Sequence, residues 1–293
     1  MSAGLIDWTG EGTVSDYALA HMRGQISGSV HSVFSSSLNV SLPGLLLHLG
    51  LTRDGLSVLG IALPEECLHS LLGCAQVGGR ATVRDGVLRV YGAGVVLQVH
   101  LGALQVVPCR VPYLDVVQRG DLLCKLEGLS LEGRLGLPAD ETLERVARVL
   151  SEGADTDELR QASISYLLGR GLGLTPSGDD VLVGYGIGLL MGGVGNEFCE
   201  AIAGEDLERT TDVSAAYLRA TSEGYANQEF IELASGLKNG ALVGGTIRRL
   251  LAVGHTSGAD GLWGLGLALR AELGGGCSAP RRIWHIRQVR QAM

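Results

Sequence analysis

The sequence predicts an α+β protein: an amino-terminal antiparallel β-rich domain, barrel-like or sandwich-like, followed by an α-helical domain. Three observations predict it. Apolar and polar residues alternate through much of the first third of the chain. From about residue 139 the apolar residues recur at helical spacing instead. A Ser-Gly-x-Asp motif then occurs twice, at Ser177 and at Ser257, an offset of 80 residues, and each copy opens a Gly-rich apolar stretch.

The elements follow in order. Short helices fit Asp16 to Arg23 and Glu65 to Cys74. Gln25 to Phe34 and Leu56 to Leu63 alternate as strands, and Val95 to Val107 is a long β-prone run. Asp85-Gly86 sits between two alternating runs in Ala81 to Val90, a strong hairpin signal. The period changes between residues 115 and 138, so the expected division is a β-rich domain over 1–125 and a helical domain over 126–293. Leu126 to Pro138 reads as a loop or crossover. Leu143, Val146, Ala147 and Leu150 then mark a helix over Ala139 to Leu150. Further helices are expected over Asp157 to Leu168, after Ser177, over Glu197 to Ala203, Asp212 to Ser222, Gln228 to Leu237 and Leu242 to Val253, and after Ser257. Arg281 to Arg290 fits a strand or an amphipathic tail.

Composition narrows the function. Of 293 residues, 46% are hydrophobic and only 4% aromatic, so the core is aliphatic; the 45 glycines imply close backbone packing. A net charge of −8 argues against nucleic acid as a partner. The basic residues form no patch for an anionic membrane. The apolar, charge-free run that begins at Val181 and ends before Glu197 is short of the ~20 apolar residues that span a bilayer. No signal peptide is evident, and the scattered cysteines lack C-x-x-C spacing; a cytoplasmic protein without a zinc or redox motif is expected.

The two motifs, Thr175-Pro176-Ser177-Gly178-Asp179-Asp180 and His255-Thr256-Ser257-Gly258-Ala259-Asp260, carry the candidate chemistry. A helix start that combines backbone N–H groups, a hydroxyl and a carboxylate can hold a ligand. The plain alternative is that both are capping boxes, with Ser at the N-cap and Asp180 or Asp260 reaching back from N3. On that alternative Asp179 has no structural job. Gly178 and Gly258, poor helix formers, call for a ligand or another backbone at close range. Asp180, Gly184 and Gly188 align with Asp260, Gly264 and Ala268 as one small-residue face per helix, so the two helices should pack with converging starts and His255 opposite Asp179. The candidate catalytic residues are therefore His255, Asp179 and Asp180. The candidate substrate- or phosphate-binding residues are Thr175, Ser177, Gly178, Ser257, Gly258, Asp260 and, more remotely, Asn39, for which turn chemistry competes. Tyr217, Arg219 and Glu223 read as helix-surface residues. No metal set is assigned and no cofactor is identified, although the carboxylates leave room for a divalent cation.

The run Gly171 to Gly184 resembles the signature of AllH-like proteins. Gly254 to Asp260 is similar to their second signature, and Val30-His31-Ser32-Val33-Phe34 with Leu38-Asn39-Val40 to their amino-terminal segment. The resemblance implies one subunit of a heteromeric oxamate carbamoyltransferase in allantoin breakdown, which interconverts oxalurate plus phosphate with oxamate plus carbamoyl phosphate. It implies small-molecule substrates of that kind and protein partner subunits. Thr175, Ser177 and Ser257 would donate hydrogen bonds, His255 would move a proton, and Asp179 or Asp180 would orient an amide or hold a cation. Trp263, beside the second motif, departs from the pattern. Two other readings stand beside it: a non-catalytic binding or scaffold subunit, and a metal-assisted hydrolase using Asp179, Asp180 and Asp260.

Overall fold

A computed structural model describes residues 4–152 and 157–274. The segment Arg281 to Arg290 lies outside the described residues. The amino-terminal half is one curled ten-stranded sheet and the rest is helical, as the change of period predicts. The strands are β1 (Gly4–Trp8), β2 (Thr13–Ser15), β3 (Ile26–Val33), β4 (Leu38–Leu42), β5 (Leu45–Leu51), β6 (Gly60–Leu63), β7 (Arg80–Arg84), β8 (Val87–Gly92), β9 (Val95–His100) and β10 (Gln105–Val107). Their order across the sheet is β1-β9-β8-β7-β3-β4-β5-β6-β2-β10.

The sheet is mixed rather than purely antiparallel. Its middle is antiparallel, but β1 with β9, β5 with β6, and β2 with β10 pair in parallel. The Asp85-Gly86 hairpin forms with both residues at positive φ, 55° and 72°, as a type I′ turn requires. Four strands beyond the expected runs appear: β1, β2, β4 and β5. Leu45 to Leu51 is nearly all apolar and buried, so alternation cannot mark it. Asn39, expected near turn chemistry, is buried within β4. The expected strand over Leu56 to Leu63 shortens to β6. Its first half is drawn off the ladder, because the Val58 N–H donates to Asn227 Oδ1 across to the helical half at 2.8 Å.

Two helices belong to the first half, α1 (Asp16–His21) and α2 (Glu65–Leu72). Then come α3 (Val116–Glu127), α4 (Glu141–Glu152), α5 (Asp157–Leu167), α6 (Ser177–Gly192), α7 (Gly195–Ala203), α8 (Asp212–Ser222), α9 (Gln228–Lys238), α10 (Gly244–Leu251) and α11 (Ser257–Glu272). Helix α3 opens on a full capping box, with Asp115 accepting from Val117 and Gln118 and the Gln118 side chain reaching back. Leu114, Leu122 and Leu123 join the helical core. Ala216 and Ala220 of α8 instead pack into the sheet's core, so α8 seats the two halves on each other. No helix of the described residues is long and apolar enough to cross a membrane.

Helices α6 and α11 form the axis of the helical half. Both are buried on nearly every side, from Ser177 to Met191 and from Gly258 to Leu269. Their small-residue faces meet. A Cβ added at Gly184 would lie 1.8 Å from the Gly261 carbonyl oxygen, and one at Gly264 would lie 2.0 Å from that of Val181. Backbone therefore packs on backbone, closer than the ~8–10 Å axis spacing of side-chain-packed helices.

Gly184→Ala should therefore destabilise the protein by at least the ~1–3 kcal/mol of an overpacked core. Gly120→Ala, mid-helix in α3 with open space before it, should gain ~0.5–1 kcal/mol. Paired chemical denaturation curves check both; equal midpoints for the two variants would contradict the packing.

Candidate functional site

The starts of α6 and α11 converge. Ser177 Oγ lies 3.4 Å from Thr256 Oγ1, and Thr175 Oγ1 lies 3.2 Å from Ser257 Oγ. Each motif thus offers its serine to a threonine of the other. The capping-box alternative fails on this geometry. The N-cap positions are Pro176 and Thr256, neither helix has a side-chain cap, and both serines are already first helical residues.

Three carboxylates gather behind these hydroxyls. Asp260 is fully buried and accepts the Gly136 N–H at 3.0 Å, beside the hydroxyls of Thr256 and Ser177. Asp180 sits beside Ser257 and Thr175, so each aspartate faces the other motif's serine. Burial pushes the Asp180 carboxyl up to about 7; the Ser257 hydroxyl opposes this and the charge of Asp260 adds to it. Burial also raises Asp179 and Asp260, against the backbone N–H groups of Gly169 and Gly136. Asp180 Oδ2 and Asp260 Oδ2 are both buried without a hydrogen-bond partner.

Asp179 corrects one expectation. It is 1% exposed, and its carboxylate accepts from the Gly169 N–H at 2.7 Å and from the Thr210 hydroxyl. It therefore has a structural job, tying the Gly169–Thr175 loop to the start of α8, where Thr211 also donates to the Leu174 carbonyl. Its oxygens are engaged there rather than opposite His255, which is exposed.

The motif glycines are required by backbone. A Cβ at Gly178 would lie 2.0 Å from the Leu167 carbonyl oxygen, and one at Gly258 would lie 1.7 Å from that of Leu250. Their N–H groups donate to Arg170 O at 2.7 Å and Val253 O at 3.1 Å, so these two donors are spent inside the protein. Gly136 closes over the hydroxyls; a Cβ there would lie 2.1 Å from Ser177 Oγ. Asn39 stands on the sheet side, where its amide joins Ser32 and His48.

The helix-surface reading of Tyr217 is also corrected. Its hydroxyl lies 2.9 Å from Ser57 Oγ. Burial pushes its pKa up, and the Asp180 charge contributes. Beside it, Asn227 receives the Val58 N–H, and Glu229, raised by burial, approaches Gly55. The 55–58 segment is thus held against helices α8 and α9 by Tyr217, Asn227 and Glu229. Val213, Ala216, Tyr217 and Ala220 share one face of α8 at i, i+3, i+4, i+7 spacing. That stripe was the available signal for Tyr217. Among the described residues, no three His, Cys, Asp or Glu side chains group as a metal ion would need.

The model of the family described as oxamate carbamoyltransferase subunit AllH matches residues 167–269. The match spans both motifs, the crossed hydroxyls and all three aspartates, and it bears out the AllH resemblance over that segment. No solved structure matches the chain.

Two measurements follow. Asp179→Ala strands the Gly169 N–H and the Thr210 hydroxyl, at an expected cost of ~2–4 kcal/mol in chemical denaturation; an unchanged midpoint would mean the tie is idle. Asp180 holds its proton more tightly folded than unfolded, so the folded state binds more protons from about pH 4 to about pH 7. The stabilisation from this proton is full below that window and lost as pH rises through it. Asp180→Asn should flatten the decline, measured by comparing unfolding midpoints of both proteins at acidic and alkaline pH.

Proposed function

We propose that this chain is a subunit of a cytoplasmic heteromeric carbamoyltransferase that moves a carbamoyl group between an oxalurate- or oxamate-type substrate and phosphate. The supporting observation is Asp180: a carboxyl that titrates near neutrality, with one buried unpartnered oxygen, where two helix starts meet. Such a carboxyl suits general acid–base work. In phosphorolysis a phosphate oxygen attacks the carbamoyl carbon, the carbon–nitrogen bond breaks, and the departing amide nitrogen must gain a proton. In the reverse direction the attacking amide nitrogen must lose one. Asp180 is assigned that transfer.

Thr175, Ser177, Thr256 and Ser257 present hydroxyls that accept from and donate to a carboxamide or ureido group. Asp260 supplies a second buried acceptor for its N–H groups. The neighbours that act on Asp180 and Asp260 are hydroxyls, a backbone N–H and other carboxylates. Phosphate and the substrate carboxylate therefore need positive groups from beyond this cluster, and partner subunits are assigned that part. The Gly-rich loop beside the motif carries Leu172, 94% exposed, and Leu174, apolar side chains suited to such a contact.

A second reading, a non-catalytic scaffold subunit, is favoured by one observation: the Gly178 and Gly258 N–H groups are already spent on Arg170 and Val253. The chain co-purified with its partner subunits, assayed with carbamoyl phosphate and oxamate, separates the two. Asp180→Asn should lower turnover about tenfold or more, roughly 1.4 kcal/mol of barrier per decade, with the complex intact. Unchanged turnover in an intact complex would favour the scaffold.

A further inference from the structure

A polar row crosses strands β3, β4 and β5. Ser32 of β3 pairs with Asn39 of β4, and Asn39 pairs with His48 of β5, so the three side chains stand level on adjacent strands. They are joined: His48 Nδ1 lies 2.9 Å from Asn39 Oδ1, and Asn39 Nδ2 donates to Ser32 Oγ at 3.0 Å. The chain of contacts continues past Ser32. His31 Nδ1 lies 3.1 Å from Ser32 Oγ, and His31 Nε2 lies 3.1 Å from Asp212 Oδ2 at the first turn of α8.

Two features separate this row from ordinary cross-strand pairing. In a regular strand, neighbours such as His31 and Ser32 project to opposite faces. Here the register steps from Val30 opposite Val40 to Ser32 opposite Asn39, so His31 is the extra residue of a β-bulge. The bulge re-aims its imidazole so that one nitrogen meets Ser32 and the other meets Asp212. The donors also run in one direction. Burial pushes the His48 pKa down, which keeps its ring neutral, and the carbonyl of Asn39 fixes the proton on Nδ1. The Asn39 amide then fills a lone pair of Ser32, leaving the Ser32 hydrogen to point at His31 Nδ1. The His31 proton on Nε2 points at Asp212. A serine, a histidine and an aspartate are thereby arranged as nucleophile, base and orienter.

We propose that Ser32 is an activated nucleophile that takes an acyl or carbamoyl group from a small activated donor of the acyl phosphate or aryl ester class. Ser32 Oγ attacks the donor carbonyl carbon as its proton passes to His31 Nδ1. The new Oγ–carbon bond forms, the bond from carbon to the leaving oxygen breaks, and that oxygen departs with its electron pair and takes the proton from His31. Water, by the reverse sequence, cleaves the ester and restores Ser32. His31 acts on the moving proton; Asp212 and Asn39 are positioning residues. None of this depends on the carbamoyltransferase reading, because the donor needs only a reactive carbonyl.

The test uses the full chain and p-nitrophenyl acetate, followed by p-nitrophenol release and peptide mass mapping. A release burst and a single acetyl group on Ser32 are expected. Ser32→Ala should abolish both, and His31→Gln should slow acylation by about tenfold or more. The Asp212 side chain is 81% exposed, so Asp212→Asn tests the same set without threatening the fold. It should slow acylation by about tenfold at an unchanged melting temperature, and Asp212→Glu should restore most of the rate. Acetyl groups on lysines or the amino terminus but none on Ser32 would overturn the proposal. So would labelling of Ser32 at the wild-type rate in both the His31→Gln and Asp212→Asn proteins.

Discussion

Everything at the motifs depends on the backbone contact between α6 and α11. Gly184 against Gly261 and Gly264 against Val181 bring two helices together with no side chain between them. Because the approach is close and the starts point the same way, two positive helix ends meet in a buried place. That concentration needs negative charge, and Asp180 and Asp260 supply it from the first turn of each helix. The same burial that makes the carboxylates useful to the helix ends also makes them costly, and Asp180 answers by holding its proton near neutrality. Fold and electrostatics thus share one cause: the small residues that let the axes approach also bury the carboxyl whose pKa is raised.

The repeat was legible because it is written in types with few structural substitutes: Ser, Gly, Asp and Gly at fixed spacing. The convergence of the helix starts followed from the Gly184–Gly188 and Gly264–Ala268 faces alone. Which aspartate did what was not legible. Local rules gave Asp180 the cap and left Asp179 idle. The structure instead ties Asp179 to Gly169 and Thr210, one nearby in sequence but in a loop, the other across the helical half. A hydrogen bond of that kind has no period. The same holds for Val58, whose N–H leaves the sheet for Asn227 and ends the strand that alternation had extended to Leu56.

The sheet was legible where one face is dry and the other wet, and not where both are covered. β5 is buried along most of its length, since α8 and the sheet's own core close over it. A polar residue in such a strand is therefore conspicuous only once the strand is known. Asn39 reads as a turn candidate in sequence, yet it stands opposite His48 on the adjacent strand.

The position of α8 joins these separate parts. Its start carries Thr210 and Thr211 to the motif loop and Asp212 to His31, and its buried face carries Ala216 and Tyr217 to the sheet and to Ser57. A rotation or slide of α8 cannot move one of these contacts without the others, because a helix transmits displacement along its whole length. The Asp180 cluster and the Ser32 row are therefore held in one mutual register by a single element. That register also explains why polar groups are spent at this helix start: each of the bonds from Thr210, Thr211 and Asp212 fixes where α8 begins.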